Sequence, residues 1–281
     1  QYDAALEKFG RRRTTYGLMM EKAHICAFYA NKGEEAIAQL EGLIAIPGLT
    51  DMQLAQAKMA LADIYVLLGD VWEASLLYMQ IDKQFKYEPI GHEAKFKNAR
   101  IFYFDGEFDY AQSQLSVLKR STSKLIANDA INLSLLITDN YGLDSNYIAM
   151  YWFASADLLI EQHQYDAAFV FFDSIISEYP AHSLGDEIQL KKAHAMELQG
   201  KWNAAVVELE ELLEFYSDDI LADDALFKLG DIYENHLLNP SKAASYYRTI
   251  LFDFKGSLYS EESRKRFQKL KESLPKEKLV N

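Results

Sequence analysis

Small, aromatic and polar positions recur along the chain in a fixed order. A first run carries a small residue followed by an aromatic or apolar one, then comes a Gly-centred turn. A second run follows, in which Ala is succeeded four positions later by an aromatic or Leu. Residues 55–88 read Leu61-Ala62, Tyr65, Gly69, Ala74, Tyr78, Ile81; residues 92–125 read Ala99, Phe102, Gly106, Phe108, Ala111, Leu115, Leu118. Residues 149–182 read Ala156, Leu159, Tyr165, Ala168, Phe172, Ile175, Pro180; residues 186–219 read Ala193, Met196, Gly200, Trp202, Ala205, Leu209, Leu212. The last full copy gives Leu229-Gly230, Tyr233, Ala243, Tyr247, Ile250. Apolar residues three and four apart predict helices, and the Gly turn predicts that they pair antiparallel, with the small residues allowing close approach.

The alanines of the second run measure the array. Ala5, Ala36, Ala74, Ala111, Ala168, Ala205 and Ala243 are separated by 31, 38, 37, 57, 37 and 38 residues. A period of this length means stacked hairpins that bury a face only against their neighbours. The 57-residue interval exceeds the usual 37 by 20, which predicts an extra unpaired helix over 126–145, capped by Asn128 and Asp129 and ended by Asn140-Tyr141-Gly142. The expected organisation is an N-terminal lobe over 1–125, the extra helix, and a C-terminal lobe over 146–281. Tyr2, Ala5 and Phe9 take second-helix positions with no first helix before them, so the chain reads as opening in mid-repeat. Ser260 to Leu270 read as a capping helix with Phe267 and Leu270 inward and Arg264, Lys265, Arg266 and Lys269 outward, before a fraying Leu274-Pro275-Lys276 tail.

Composition agrees with helices: there are 7 Val and 6 Thr in 281 residues, too few for an all-β fold. The net charge of −13 argues against a surface that neutralises nucleic-acid phosphates. No apolar stretch approaches the ~20 residues of a membrane span. The single cysteine, Cys26, sits in an apolar helical run and reads as core.

The sequence carries no recognisable catalytic or metal-binding spacing. His92, His163, His182, His194 and His236 fall on different repeats, and Asp218-Asp219 and Asp223-Asp224 suit helix starts better than a calcium loop. No catalytic residue, metal site or cofactor is therefore expected. Asn132-Leu133-Ser134 matches a glycosylation acceptor inside the expected extra helix, and Arg11-Arg12-Arg13 is a compact basic run in an acidic chain, read as a solvated helix end.

The small residue of the first helix and the Gly, aromatic, Ala, aromatic order around the second resemble the tetratricopeptide repeat. The 37–38-residue spacing, with phrases such as Glu178-Tyr179-Pro180-Ala181-His182-Ser183, is similar to the bacterial envelope branch of that family. That branch includes a lipoprotein of outer-membrane barrel assembly and a periplasmic coordinator that contacts the Tol system. The resemblance implies an all-α, right-handed superhelical solenoid that binds a protein or peptide along the groove formed by its first helices. It also implies a periplasmic or envelope location. Groove positions carried over from the family are Met59, Asp63, Val66, Phe96, Arg100, Tyr103, Phe104, Phe153, Asp157 and Glu161. The positions where family members clamp a terminal carboxylate with Lys and Asn hold Met59, Asp63, Phe96 and Asp157 here, which argues against that clamp. By formal charge the groove turns acidic toward Asp224, Asp231 and Glu234, which suits an apolar or amphipathic segment carrying basic residues. The expected function is a non-catalytic scaffold or adaptor. A peptide-sensing regulator and the helical part of a larger enzyme are the alternatives, and self-association through unsatisfied end repeats is open to an array of this kind.

Overall fold

The computed structural model describes residues 1–120, 124–142 and 147–273. These residues are all-α: α1 Tyr2–Phe9, α2 Tyr16–Phe28, α3 Gly33–Ile44, α4 Asp51–Leu68, α5 Val71–Gln84, α6 Pro89–Phe104, α7 Phe108–Leu118, α8 Lys124–Ile137, α9 Tyr147–Glu161, α10 Tyr165–Glu178, α11 Gly185–Leu198, α12 Trp202–Phe215, α13 Ala222–Asn235, α14 Pro240–Asp253 and α15 Ser260–Ser273. The chain divides into two compact units, Gln1–Phe171 and Phe172–Asn281, with the division inside α10.

In the first unit α2 pairs with α3, α4 with α5 and α6 with α7, and each hairpin packs on the next through α3 against α4 and α5 against α6. Pairing is close because the contact positions are small. Ala36, Ala74 and Ala111 in the second helices, and Ala62 and Ala99 in the first, have no exposed surface. The α4–α5 turn shows how the sequence stops one helix and starts another. Gly69 takes φ +94, which only glycine adopts without strain, and its N–H closes on the carbonyls of Tyr65 and Val66. In the region of the extra helix expected over 126–145 stand α8 and a π-helical turn, Thr138–Gly142; α8 starts at Lys124, so Asn128 and Asp129 lie within it rather than at its cap, and residues 143–145 lie outside the described ones. α8 packs against α7 and α6. Of its sequon, Asn132 is exposed, whereas Ser134 is buried and its hydroxyl donates to Gln112 Oε1.

At the start of the chain the register differs from expectation. Leu6 is the buried residue of α1, whereas Ala5 is half-buried and Phe9 is more than half exposed. The helix has turned so that Leu6 joins Met19, Ala23, Leu40 and Leu43 in one core. Cys26 belongs to the same core, as expected.

In the second unit α11 pairs with α12 and α13 with α14, and α15 closes the stack against α14. Ala205, Ala243 and Ala193 are again fully buried. The small position of α13 is Gly230, and a Cβ there would stand 2.4 Å from the Tyr247 ring. Glycine is required by that aromatic, which fills the place a methyl takes in the other repeats. The tail at Leu274-Pro275-Lys276 lies outside the described residues.

Candidate functional site

Two cavities open on the first-helix face of the first unit and meet at Asp63. The larger, about 470 Å³, is a slot between α4 and α6. Both helices start earlier than the repeat frame suggests. Thr50 caps α4 by accepting from the Gln53 N–H at 3.2 Å, while Gln53 Oε1 accepts from the Thr50 N–H at 3.0 Å. Pro89 opens α6 in the first turn, where its missing N–H costs nothing. These added turns bring Met52, Pro89 and Ile90 beside Met59 and Ala60, with Gln56, Asp63 and Glu93 at the rim. The walls are thus apolar and adaptable, and the rim is polar.

The smaller cavity, about 180 Å³, is lined by Phe28, Val66, Arg100, Phe104 and Glu161 among others. Its charges are matched internally. Asp63 accepts from Tyr78 at 2.6 Å and holds Lys97 Nζ at 2.7 Å from each carboxylate oxygen. Arg100 Nη2 lies 2.7 Å from Glu161 Oε1, and its guanidinium covers the Phe104 ring at 5.1 Å. Burial opposes the Arg100 charge, but Glu161 and Asp157 outweigh it and hold the guanidinium pKa above its ordinary value. Burial, then Asp63, raises the Tyr78 hydroxyl far enough that it remains a donor. Just beyond α9, Gln162 Nε2 donates to the Val66 carbonyl at 3.3 Å and His163 meets Phe28. The C-terminal ends of α2, α4, α6 and α9 are thereby drawn to one place.

The ten residues expected in the groove separate into three groups. Asp63, Val66, Arg100, Phe104 and Glu161 line the smaller cavity, and Met59 lines the slot with Asp63. Phe96 is half-buried on α6 and lines neither cavity. Tyr103 and Phe153 have no exposed surface and Asp157 very little, so these three serve the interior of the unit. Tyr103 faces inward to Phe104 and Phe108 rather than outward. Residues that the repeat frame missed are Met52, Pro89 and Ile90; Lys97 and Tyr78 lie within the frame but are not among the expected groove residues. A cap signal at Thr50 and the Pro at 89 mark the earlier helix starts; Lys97 follows Asp63 by 34 residues, about one repeat.

The same one-repeat step recurs in the second unit, where it gives partners to the acids expected in the groove. Arg266 on α15 pairs with Asp231 at 2.5 Å, 35 residues back on α13, and lies 3.7 Å from Glu234. Lys228 on α13 pairs with Glu197 on α11 at 2.8 Å. Asp224 accepts from Tyr259 at 2.5 Å. Formal charge counted these acids as open, whereas each has a donor further along the chain; Arg266 offsets part of the charge of Asp231 and Glu234, and the Tyr259 hydroxyl brings no charge to Asp224. Arg266 was expected outward and instead turns in over Phe227 at 5.1 Å, with Tyr247 donating to Glu234 beneath it. Aromatic faces and three carboxylates outweigh the solvent that Arg264 and Lys265 keep.

Among the described residues no group of three or more His, Cys, Asp or Glu side chains is placed to hold a metal ion, and no helix is long and apolar enough to cross a membrane. Residues 224–254 match the family model of the tetratricopeptide repeat. Among solved structures the chain is similar to a tetratricopeptide repeat protein from Parabacteroides merdae ATCC 43184, at 14% identity over 96% of this chain and 89% of that one, with a TM-score of 0.37. No curated protein matches.

Proposed function

We propose that this chain is a non-catalytic protein-interaction module, and that the α4–α6 slot of its first unit receives an apolar side chain from a partner segment. The observation that supports this reading is the slot itself: methionine and isoleucine walls open to solvent beside Glu93, which lies 3.8 Å from Lys97 and outside the tight Asp63 pair. Met side chains repack around differing apolar shapes, and a carboxylate at the rim favours a segment with a basic residue next to its apolar anchor. The tetratricopeptide match over 224–254 supports a protein partner. An adaptor role in a bacterial envelope assembly is the finer reading, drawn from the repeat spacing.

A peptide-sensing regulator is the second reading, favoured by the Arg100–Glu161 pair that closes the smaller cavity next to the slot. A photo-activatable residue at Gln56 in the full-length protein, cross-linked in its native cell, tests the first. One partner recovered at fixed ratio and lost on Ile90→Ser supports it. Cross-linking unchanged by Ile90→Ser, or found solely from a probe on the opposite side of α5, overturns it.

A further inference from the structure

A third cavity lies away from the first-helix face, beneath α1. It measures about 250 Å³, above the ~150 Å³ of an engineered apolar cavity that binds benzene. Its walls are Leu6 from α1, Met19 from α2, and Leu43 and Ile46 from α3 and the turn beyond it. Two cations, Arg11 and Lys22, also line it. Lys22 is nearly buried and its Nζ sits 2.6 Å from Asp3 on α1, while Arg11 is exposed in the link after Gly10. In a chain of net charge −13, a pocket apolar within, with Arg11 and the Asp3-paired Lys22 at its edge, is suited to an anion with a hydrocarbon body.

We infer that this cavity is a binding site for a medium-chain carboxylate, with the alkyl chain between Leu6, Met19 and Leu43 and the carboxylate on Arg11 and Lys22. The walls favour an alkyl chain over a peptide. Gln39 is the amide in the lining; its Nε2 is committed to Glu35 and Cys26, and its Oε1, buried and without a hydrogen-bond partner, is the single acceptor that amide could offer a peptide backbone. A peptide backbone would leave N–H and C=O groups unpaired there, and an alkyl chain has none to satisfy. Asp3 competes with the ligand for Lys22. Entry accordingly exchanges one carboxylate for another, with α1 swinging about Gly10.

Isothermal titration of the full-length protein with sodium decanoate below its micelle-forming concentration tests the assignment. Saturable one-to-one binding is expected, with decan-1-ol at least tenfold weaker because it lacks the charge. Gly42 lines the cavity, and a Cβ built on it meets nothing within 4 Å. Gly42→Leu should therefore fold with an unchanged circular dichroism spectrum and lose binding tenfold or more. Arg11→Glu, at an exposed position, should weaken decanoate and leave decan-1-ol unaffected, whereas Asp3→Asn should tighten decanoate several-fold. Absence of saturable heat, equal binding of acid and alcohol, or parental affinity in Gly42→Leu would overturn the site. So would displacement of decanoate by a peptide ending in Leu, which would assign the cavity to a protein terminus.

Discussion

Arg266 reaches back 35 residues to Asp231 as Lys97 reaches back 34 to Asp63, each crossing from one first helix to the next. In both places a tyrosine of the intervening second helix completes the group: Tyr78 donates to Asp63, and Tyr247 donates to Glu234 while accepting from Arg266 at 3.1 Å. The cation stitches consecutive hairpins on their first-helix side, where packing alone leaves polar groups half-buried. Arg266→Met should remove this stitch, leave Asp231 and Glu234 facing each other, and cost about 1–2 kcal/mol, as for hydrogen bonds to charged groups at a partly exposed site. Urea unfolding of the parent, Arg266→Met, Asp231→Asn and the double variant measures it. Strict additivity in that cycle would show that the pair contributes nothing.

Gly230 and Tyr247 should behave as one unit. Gly230→Ala gains about 1 kcal/mol of helix propensity but drives a methyl into the aromatic ring, for a net loss of about 1–2 kcal/mol. In a Tyr247→Leu background the same Gly230→Ala step should cost less or become neutral, and thermal unfolding of the parent, both single variants and the double variant is the check.

Tyr103 and Ile90 separate folding from binding. Tyr103 is fully buried, so Tyr103→Ser should cost about 3–5 kcal/mol and abolish partner capture through unfolding. Ile90 is half-buried at the first turn of α6, so Ile90→Ser should cost about 1 kcal/mol and reduce capture in a folded protein. Circular dichroism at the temperature of the binding assay distinguishes the two outcomes.

Two carboxyls of the second unit should bend the pH profile in opposite directions. Burial opposes the Glu197 charge, but hydrogen bonds from His194 and Lys228 outweigh it, so its folded pKa lies below the ordinary 4.5. A depressed acid stabilises the fold above 4.5, and that contribution disappears as pH falls through the folded value. Glu197→Gln should flatten the stability curve in that acid window. Burial raises Asp224 above 3.8 despite the Tyr259 hydrogen bond, so its ionised form weakens the fold at neutral pH. Asp224→Asn should raise the melting temperature at pH 7, and the advantage should vanish below about pH 4.

How much of this was readable in advance depended on the kind of signal. Ala74, Ala111, Ala205 and Ala243 mark hairpin contacts because close helix approach admits few other residues, and all four are fully buried. The outward face was harder to read. Tyr103 and Arg100 stand three apart on α6 and share a stripe on a helical wheel, yet one is core and the other pairs with Glu161 from α9. Periodicity gives the side of a helix and not what a distant helix brings to it. Counting Asp231 and Glu234 by formal charge missed their cation for the same reason, since Arg266 comes from a helix read as a solvated cap. The slot was missed at its outer end, because the repeat frame begins after Met52 and Ile90 while the caps begin before them.

The hydrogen bond from Gln162 to the Val66 carbonyl spans 96 residues, and the Arg100–Glu161 pair spans 61. In an array whose hairpins touch only their neighbours, ends can fray while the middle persists, and folding spreads outward from any starting point. Here α9 is also fastened to α4 and α6, so the intervening hairpins must be in place before either fastening forms. The first unit therefore carries a loop-closure cost that an open array avoids, with slower folding and a sharper, all-or-none unfolding as its counterparts.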